Sequence, residues 1–223
     1  MGFGLVIWTS IQEVRQDRTL QFREVFMKVV AINGSPRKEG NTFILLTTVL
    51  EELKKEGIDT EIHFLSGKPI QGCIACYQCR KNKNRKCAVE KDAGNEFIGL
   101  MEKAEGILLG SPTYFSDVTA GMRALIERAG LVSLANNYMF KYKVGAGVIA
   151  VRRAGAITAF NSLNLFFHCN QMIIPGSSYW SMAIGRNIGE VKNDAEGMKI
   201  MKTLGQNMAW LMKKLYGTEN PKF

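Results

Sequence analysis

The sequence predicts an α/β protein in which a doubly wound, five-stranded parallel sheet is covered by helices on both faces. Strand-like and helix-like segments alternate from Met27 to Leu215, which is the order that parallel strands and their crossover helices produce. Apolar runs such as residues 148–151 are strand-sized and fall far below the ~18 residues of a membrane-spanning helix. The 223 residues, of which 46% are hydrophobic, suffice for one domain with a substantial core.

The five predicted strands are short apolar or β-rich runs. They are residues 29–32, 60–65, 106–110, 144–151 and 172–174. The third run is fully apolar and bounded by Gly106 and Gly110, as expected of a central strand that is buried on both faces. The first run ends abruptly in the turn sequence Asn-Gly-Ser-Pro at residues 33–36.

Five helices are predicted from apolar residues that repeat at helical spacing. The first follows strand one, with Asn41 or Thr42 as its N-cap and Gly57 as its stop signal. The other four cover residues 97–104, 118–129, 157–169 and 200–215. The last of these has one apolar side and carries lysines in its final turns, where they interact favourably with the helix dipole.

We divide the chain into a domain and two terminal segments. Residues 27–216 form the predicted domain, with a Gly- and Cys-rich insertion at residues 67–90. Residues 1–26 form an N-terminal extension of undetermined role, and residues 217–223 form a C-terminal tail. The longest apolar piece of the extension is shorter than the ~7–15 residues of a signal-peptide core, so we do not expect export.

Composition disfavours several classes of function. The net charge is +9, but the basic residues are scattered apart from one cluster at residues 81–86, and no nucleic-acid reader motif accompanies them. We therefore expect neither nucleic-acid nor membrane binding. The odd number of cysteines, five, is a poor disulfide framework and indicates a reducing compartment, the cytoplasm. Neither His63 nor His168 lies in a catalytic motif, and no hydrolase signature occurs.

The loop after strand one has the chemistry of an anion site. In open parallel sheets, ligands bind beyond the carboxyl ends of the strands, where a helix N-terminus offers unpaired N–H groups. Further donors come from a short run of side chains around a glycine: Ser35, Arg37, Gly40, Asn41 and Thr42. Asn41 stands where a nucleotide-triphosphate loop has its lysine, so a single phosphate such as that of FMN is favoured over ATP or GTP. The alternative is an ordinary Gly-rich turn.

Two more loops are predicted at the same edge of the sheet. The loop after strand three can place a flat flavin ring against a stiff, partly aromatic segment, although these residues can equally serve only to cover the strand end. This segment consists of Pro112, Thr113, Tyr114 and Phe115. Arg152 and Arg153, followed by Gly155, place positive charge after strand four, where it would stabilise a reduced, anionic flavin unless the arginines are simply solvated.

Four cysteines crowd into one irregular loop. Two, two and seven residues separate Cys73, Cys76, Cys79 and Cys87. Four thiolates at this spacing can converge, and three of them at two-residue spacing are closer to ferredoxin chemistry than to paired zinc knuckles. We therefore favour a four-iron four-sulfur cluster, with zinc, bare cysteines or a redox-active pair as alternatives. The fifth cysteine, Cys169, is expected in the core.

Three motifs together resemble the iron–sulfur flavoproteins within the NADPH-dependent FMN reductase group, which have a flavodoxin-like fold. They are Asn-Gly-Ser-Pro-Arg with Gly-Asn-Thr at residues 33–42, the four-cysteine loop, and Gly-Ser-Pro-Thr-Tyr-Phe at residues 110–115. The resemblance implies that Ser35, Arg37, Asn41 and Thr42 hold the FMN phosphate, that residues 112–115 flank the ring and that the four cysteines bind the cluster. It also implies a homodimer or homotetramer. The Arg-Arg-Ala-Gly sequence at residues 152–155 is closer to the reductase-like members of the group.

The sequence thus predicts an FMN-dependent oxidoreductase. Electrons would pass from NAD(P)H or a small ferredoxin-like redox protein through FMN, and through the cluster, to an acceptor. One alternative is an NAD(P)H-dependent FMN or quinone reductase whose cysteines bind nothing. Another is a non-catalytic FMN electron carrier.

Overall fold

The computed structural model describes residues 26–217. Five parallel strands form one sheet in the order β2-β1-β3-β4-β5. The strands are β1 (Lys28–Asn33), β2 (Asp59–Phe64), β3 (Gly106–Pro112), β4 (Val144–Val151) and β5 (Met182–Ile184). This order is that of flavodoxin-like doubly wound sheets, and it confirms the predicted fold class.

The five predicted helices are all present. They are α1 (Asn41–Lys55), α3 (Gly94–Lys103), α4 (Ala120–Ala135), α5 (Ala156–Cys169) and α6 (Ala195–Tyr216). A short helix, α2 (Gln78–Asn82), lies inside the cysteine loop, and a 3₁₀ turn at Glu190–Asn193 precedes α6. Within residues 26–217, no helix is both long enough and apolar enough to cross a membrane.

The sheet separates two apolar clusters because successive side chains of a strand point to opposite faces. In β1, Val30 and Ile32 pack with residues of α3, α4 and α5, whereas Val29 and Ala31 pack with residues of α1 and α6. All four side chains are buried almost completely. The central strands are therefore held rigidly from both sides, and the loops at their carboxyl ends start from fixed positions.

The predicted position of the last strand is wrong. Residues 172–174 were expected to form it, but β5 is Met182–Ile184, which pairs with Ile149–Val151 at the carboxyl end of β4. Ile173 makes only an isolated bridge to Val144, at the opposite end of β4. Pro175 lies two residues after Ile173, and proline cannot donate a hydrogen bond to a sheet ladder, so the apolar run does not extend into a strand.

Two local predictions also differ from the structure. The N-cap of α1 is Gly40, in extended conformation, rather than Asn41 or Thr42, which are the first two residues of the helix. The predicted stop signal of α1 is confirmed, because Gly57 lies just beyond the end of the helix with φ +76°, a left-handed conformation that favours glycine. Cys169, expected in the core, is exposed at the last position of α5.

Candidate functional site

The loops after β1, β3, β4 and β5 surround a cavity of about 320 Å³ at the carboxyl edge of the sheet. Most of the residues predicted to bind the cofactor line it: Ser35, Arg37, Asn41, Thr42, Pro112, Thr113, Tyr114 and Arg152. The wall is completed by Ala150, Gly185 and Arg186. The other four predicted residues, Gly40, Phe115, Arg153 and Gly155, are outside the lining of the cavity, and Gly40 is the N-cap of α1.

The loop after β1 is fixed by hydrogen bonds to its neighbours in the core. Gly34 N donates to the carbonyl of Gly110 on β3 at 2.7 Å, and Thr119 Oγ1 donates to the carbonyl of Gly34 at 2.9 Å. A Cβ atom at Gly34 would lie 3.0 Å from that Gly110 oxygen, so this approach of two backbones requires a residue without a side chain. Ser35 N donates to Asn33 Oδ1 at 2.9 Å. The loop is therefore shaped before any ligand binds.

Several hydrogen-bond donors at this loop have no acceptor among the residues that the structure describes. The first intrahelical bond of α1 runs from Ile44 N to Gly40 O, which leaves the N–H groups of residues 41–43 open, as at any helix start. Thr42 is buried, and its Oγ1 has no hydrogen-bond partner among residues 26–217. Thr113 Oγ1, on the loop after β3, is likewise buried without a hydrogen-bond partner in the described part of the chain. Because a buried hydroxyl without a partner is costly, both atoms indicate a missing ligand.

The side chain of Asn41 holds the β5 loop. Its Nδ2 donates to the carbonyls of Gly185 and Asn187 at 3.1 and 2.9 Å, and its Oδ1 accepts from Gly189 N at 2.8 Å. These three bonds use most of the hydrogen-bonding capacity of the amide. Asn41 therefore positions the wall that carries Arg186, and what it offers a ligand is chiefly its backbone N–H.

Three arginines, Arg37, Arg152 and Arg186, line the cavity. Among the described residues, no carboxylate forms an ion pair with Arg37 or Arg152. Arg186 is not among the predicted site residues, because the predicted last strand lies ten residues before β5. The signal that could have revealed it is the short run Met-Ala-Ile at residues 182–184, which ends in Gly185 and Arg186.

The loop after β3 forms a tight turn beside the cavity. Tyr114 and Asp117 exchange two backbone hydrogen bonds of 2.8 and 3.0 Å, and both central residues, Phe115 and Ser116, have positive φ. This is the geometry of a two-residue turn of type I′. It leaves the Phe115 ring fully exposed and Tyr114 half exposed at the cavity wall. Gly155 packs against this turn, since a Cβ there would lie 2.6 Å from Ser116 Oγ.

The four clustered cysteines line a second, much smaller cavity of about 20 Å³, together with residues of α4 that include Arg128. Cys79 is buried, Cys87 is half-buried, and Cys73 and Cys76 are exposed. Burial raises the pKa of the Cys79 thiol, and the three neighbouring cysteines raise it further. Within residues 26–217, no three acidic, histidine or thiol groups form a site for a single metal ion.

The backbone of the cysteine loop is unusual. Four residues other than glycine have left-handed φ values in a short stretch: Ala75, Tyr77, Lys83 and Arg85. Each such residue costs of order 1 kcal/mol or more, and such residues concentrate at binding and active sites. This loop is therefore held in a conformation that its local sequence does not favour.

The family of the chain follows from comparisons with known proteins. The model of the NADPH-dependent FMN reductase family matches residues 27–187. An iron–sulfur flavoprotein of Methanocaldococcus jannaschii is 34% identical over 194 residues, which cover 84% of this chain and 98% of that protein. An iron–sulfur flavoprotein of Methanosarcina thermophila is 30% identical over 184 residues, which cover 82% and 93% of the two chains.

The fold is also found in solved structures. An NAD(P)H:quinone oxidoreductase from Methanothermobacter marburgensis superimposes with a TM-score of 0.61 at 12% identity, covering 82% of this chain and 99% of its own. At this identity the likeness shows the fold alone. The match to the family model and the similarity to iron–sulfur flavoproteins show that the chain belongs to the NADPH-dependent FMN reductase family and is an FMN-dependent oxidoreductase.

Proposed function

We propose that this protein binds FMN in the cavity at the sheet edge and a four-iron four-sulfur cluster on the cysteine loop. In this proposal, it passes electrons between an NAD(P)H or ferredoxin-like donor and an acceptor. The observation that carries the flavin site is the buried hydroxyl of Thr42, which has no hydrogen-bond partner among the described residues. This hydroxyl lies at the N-terminus of α1, and three arginines line the same cavity.

An FMN phosphate fits the end of the cavity formed by the loop after β1. A phosphate only accepts hydrogen bonds, and this loop offers the Thr42 hydroxyl and open helix N–H groups. Arg37 and Arg152 add charge that no carboxylate of the described residues neutralises. Thr113 and Tyr114 on the loop after β3 would contact the flavin ring. When bound, this ring can accept and release one or two electrons.

A four-iron cluster fits the donor set of the cysteine loop. Each thiolate of such a cluster binds a different iron, so the ligands must surround a body rather than converge on one point. The four cysteines line one cavity and so supply four thiolates from one loop. The similarity to the archaeal iron–sulfur flavoproteins, which spans nearly their whole length, supports this assignment.

The experiment that tests this proposal is the composition of protein purified without oxygen. We expect a flavin absorption band, FMN as the released flavin, and about four iron and four sulfide per chain, the content of a four-iron four-sulfur cluster. FMN without iron would instead identify the cluster-free reductase or carrier. Rapid mixing with NADPH separates these two, because a pure carrier leaves the flavin oxidised.

A further inference from the structure

Arg128 is a buried cation that belongs to no part of the flavin cavity. It lies on α4, its side chain has no exposed surface, and it is the largest fully buried side chain of the described residues. Burying a guanidinium is expensive unless its charge and its N–H groups are satisfied. Its partners therefore indicate what the burial serves.

The guanidinium ties the two ends of the cysteine loop together. Nη1 donates to both carboxylate oxygens of Asp92, at 2.7 and 2.6 Å, and to the carbonyl of Gln71 at 3.3 Å. Nη2 donates to the carbonyl of Val89 at 2.6 Å. Because Gln71 precedes Cys73 and Val89 follows Cys87, one side chain fixes the start and the end of the segment that carries all four cysteines.

The surrounding structure leaves a space shaped for this group. Gly94, at the start of α3, lies so close that a Cβ there would be 2.5–2.6 Å from the guanidinium atoms of Arg128. Asp92 also accepts from Gln71 N at 2.8 Å and from Gly94 N at 2.9 Å, so its carboxylate is saturated. Of the three guanidinium nitrogens of Arg128, two therefore have protein acceptors and one does not.

The exception is Nε of Arg128, which is buried and has no hydrogen-bond partner among residues 26–217. Arg128 itself lines the small cavity that Cys73, Cys76, Cys79 and Cys87 share. A buried N–H of a cation without an acceptor carries the full cost of its desolvation. An acceptor of negative charge in this cavity would remove that cost.

We propose that Arg128 is a positioning residue of the iron–sulfur site, whose Nε–H donates to a sulfur of the bound cluster or of its cysteine ligands and whose charge stabilises the reduced form. This inference rests on the proposed function, since it requires a cluster in the cysteine loop. Hydrogen bonds to cluster sulfurs and nearby charge are among the features that set the reduction potential of such clusters. Asp92 opposes the effect by partly neutralising the guanidinium.

A purely structural role for the pair makes a different prediction. Arg128→Met and Asp92→Asn both break the same buried ion pair, so both should loosen the loop in a similar way. If Arg128 acts on the cluster, the two substitutions instead move the reduction potential in opposite directions. Loss of the cation disfavours the reduced cluster, whereas loss of the opposing carboxylate favours it.

The test is a redox titration of the cluster, followed by EPR, in the anaerobically purified wild type and both variants. We expect the reduction equilibrium of Arg128→Met to shift at least tenfold toward the oxidised cluster, which is about 59 mV for a one-electron couple. Asp92→Asn should shift the equilibrium in the opposite direction. Arg85→Met, which removes an exposed cation from the cysteine loop itself, is the matched control. It should shift the reduction equilibrium less than Arg128→Met does.

Each outcome decides one claim. If the wild type contains no iron or sulfide, the cluster assignment itself fails. If the wild type contains a cluster but both variants have its reduction potential, or both potentials shift in the same direction, the proposed role of Arg128 is overturned. Should Arg128→Met retain FMN but lose the cluster, Arg128→Lys replaces it. This variant keeps the charge without Nε–H, and an unshifted potential would then contradict the proposal.

Discussion

The flavin cavity and the cysteine loop are built in different ways. The cavity consists of short loops that leave buried strands and are tied to one another by backbone contacts such as Gly34 N to Gly110 O. The cysteine loop is a long excursion with four left-handed residues, and it is closed at its base by the side chain of Arg128. The first site is preorganised by the fold, whereas the second depends on one buried ion pair and on whatever its thiolates bind.

This difference predicts that the two sites can be damaged separately. A substitution that pushes the buried guanidinium of Arg128 out of its place should lower the iron content of the cysteine loop and leave flavin binding intact. Substitutions in the loops at the sheet edge should have the reverse effect. The following predictions are ordered from the largest expected effect to the smallest.

Gly94→Ala should damage the cysteine loop most. The new methyl group would meet the guanidinium of Arg128, which must move and abandon Asp92, so we expect a loss of about 3 kcal/mol in the free energy of unfolding. Iron content should fall while FMN content is retained. Urea unfolding and metal analysis provide the two measurements.

The matched control is Gly99→Ala on the same helix, where a Cβ would meet nothing within 4 Å. That substitution should stabilise the protein by about 0.5–1 kcal/mol, because alanine is the better helix former. Equal behaviour of the two alanine variants would show that Arg128 does not depend on the space at Gly94.

Asn41→Ala should damage the cavity more mildly. It removes three hydrogen bonds to the β5 loop and frees the segment that carries Arg186, so we expect a cost of about 1–3 kcal/mol and weaker FMN binding with unchanged iron content. Asn207→Ala, which removes a single exposed bond to the Gly176 carbonyl, is the control. Unchanged FMN affinity in Asn41→Ala would contradict the positioning role.

The smallest effect is a pH dependence that originates at Asp92. Burial alone raises the pKa of this carboxyl, but hydrogen bonds from Arg128, Gln71 N and Gly94 N outweigh it, and the pKa lies below its ordinary value of 3.8. A depressed pKa contributes stability that is complete above the ordinary value and is lost as the pH falls through the lowered one.

The difference in unfolding free energy between the wild type and Asp92→Asn should therefore be constant from pH 7 to about 5 and shrink on acidification below about 4. Denaturant midpoints of the two apoproteins at several pH values provide the measurement. A difference that stays constant down to pH 2 would show that Asp92 is not the titrating group.

Much of the fold could be predicted from the sequence because β1, β3 and β4 are buried on both faces and read as continuous apolar runs. β5 could not, since a three-residue strand has too little pattern of its own and is defined by pairing with the end of β4. The loss of Arg186 from the predicted site followed from that error.

The role of Arg128 was not visible in the sequence for another reason. It is one of two arginines on α4 and directly follows Glu127, whereas the carboxylate that it binds lies 36 residues earlier in the chain. Local spacing indicates which cysteines belong together, but it carries no information about a side chain that closes the loop from another element. Asn41 illustrates the same limit, because its partners lie more than 140 residues away.

The most direct test of the central claim is an FMN titration of flavin-free protein that compares the wild type, Thr42→Val and Thr48→Val. Thr42 Oγ1 has no hydrogen-bond partner among the described residues, whereas Thr48 Oγ1, six residues further along α1, donates to the Ile44 carbonyl at 2.9 Å. If the loop after β1 holds the phosphate, Thr42→Val should weaken FMN binding at least tenfold, or about 1.4 kcal/mol, and Thr48→Val should leave it unchanged. Equal affinity in all three proteins, or no FMN binding by the wild type, would contradict the account.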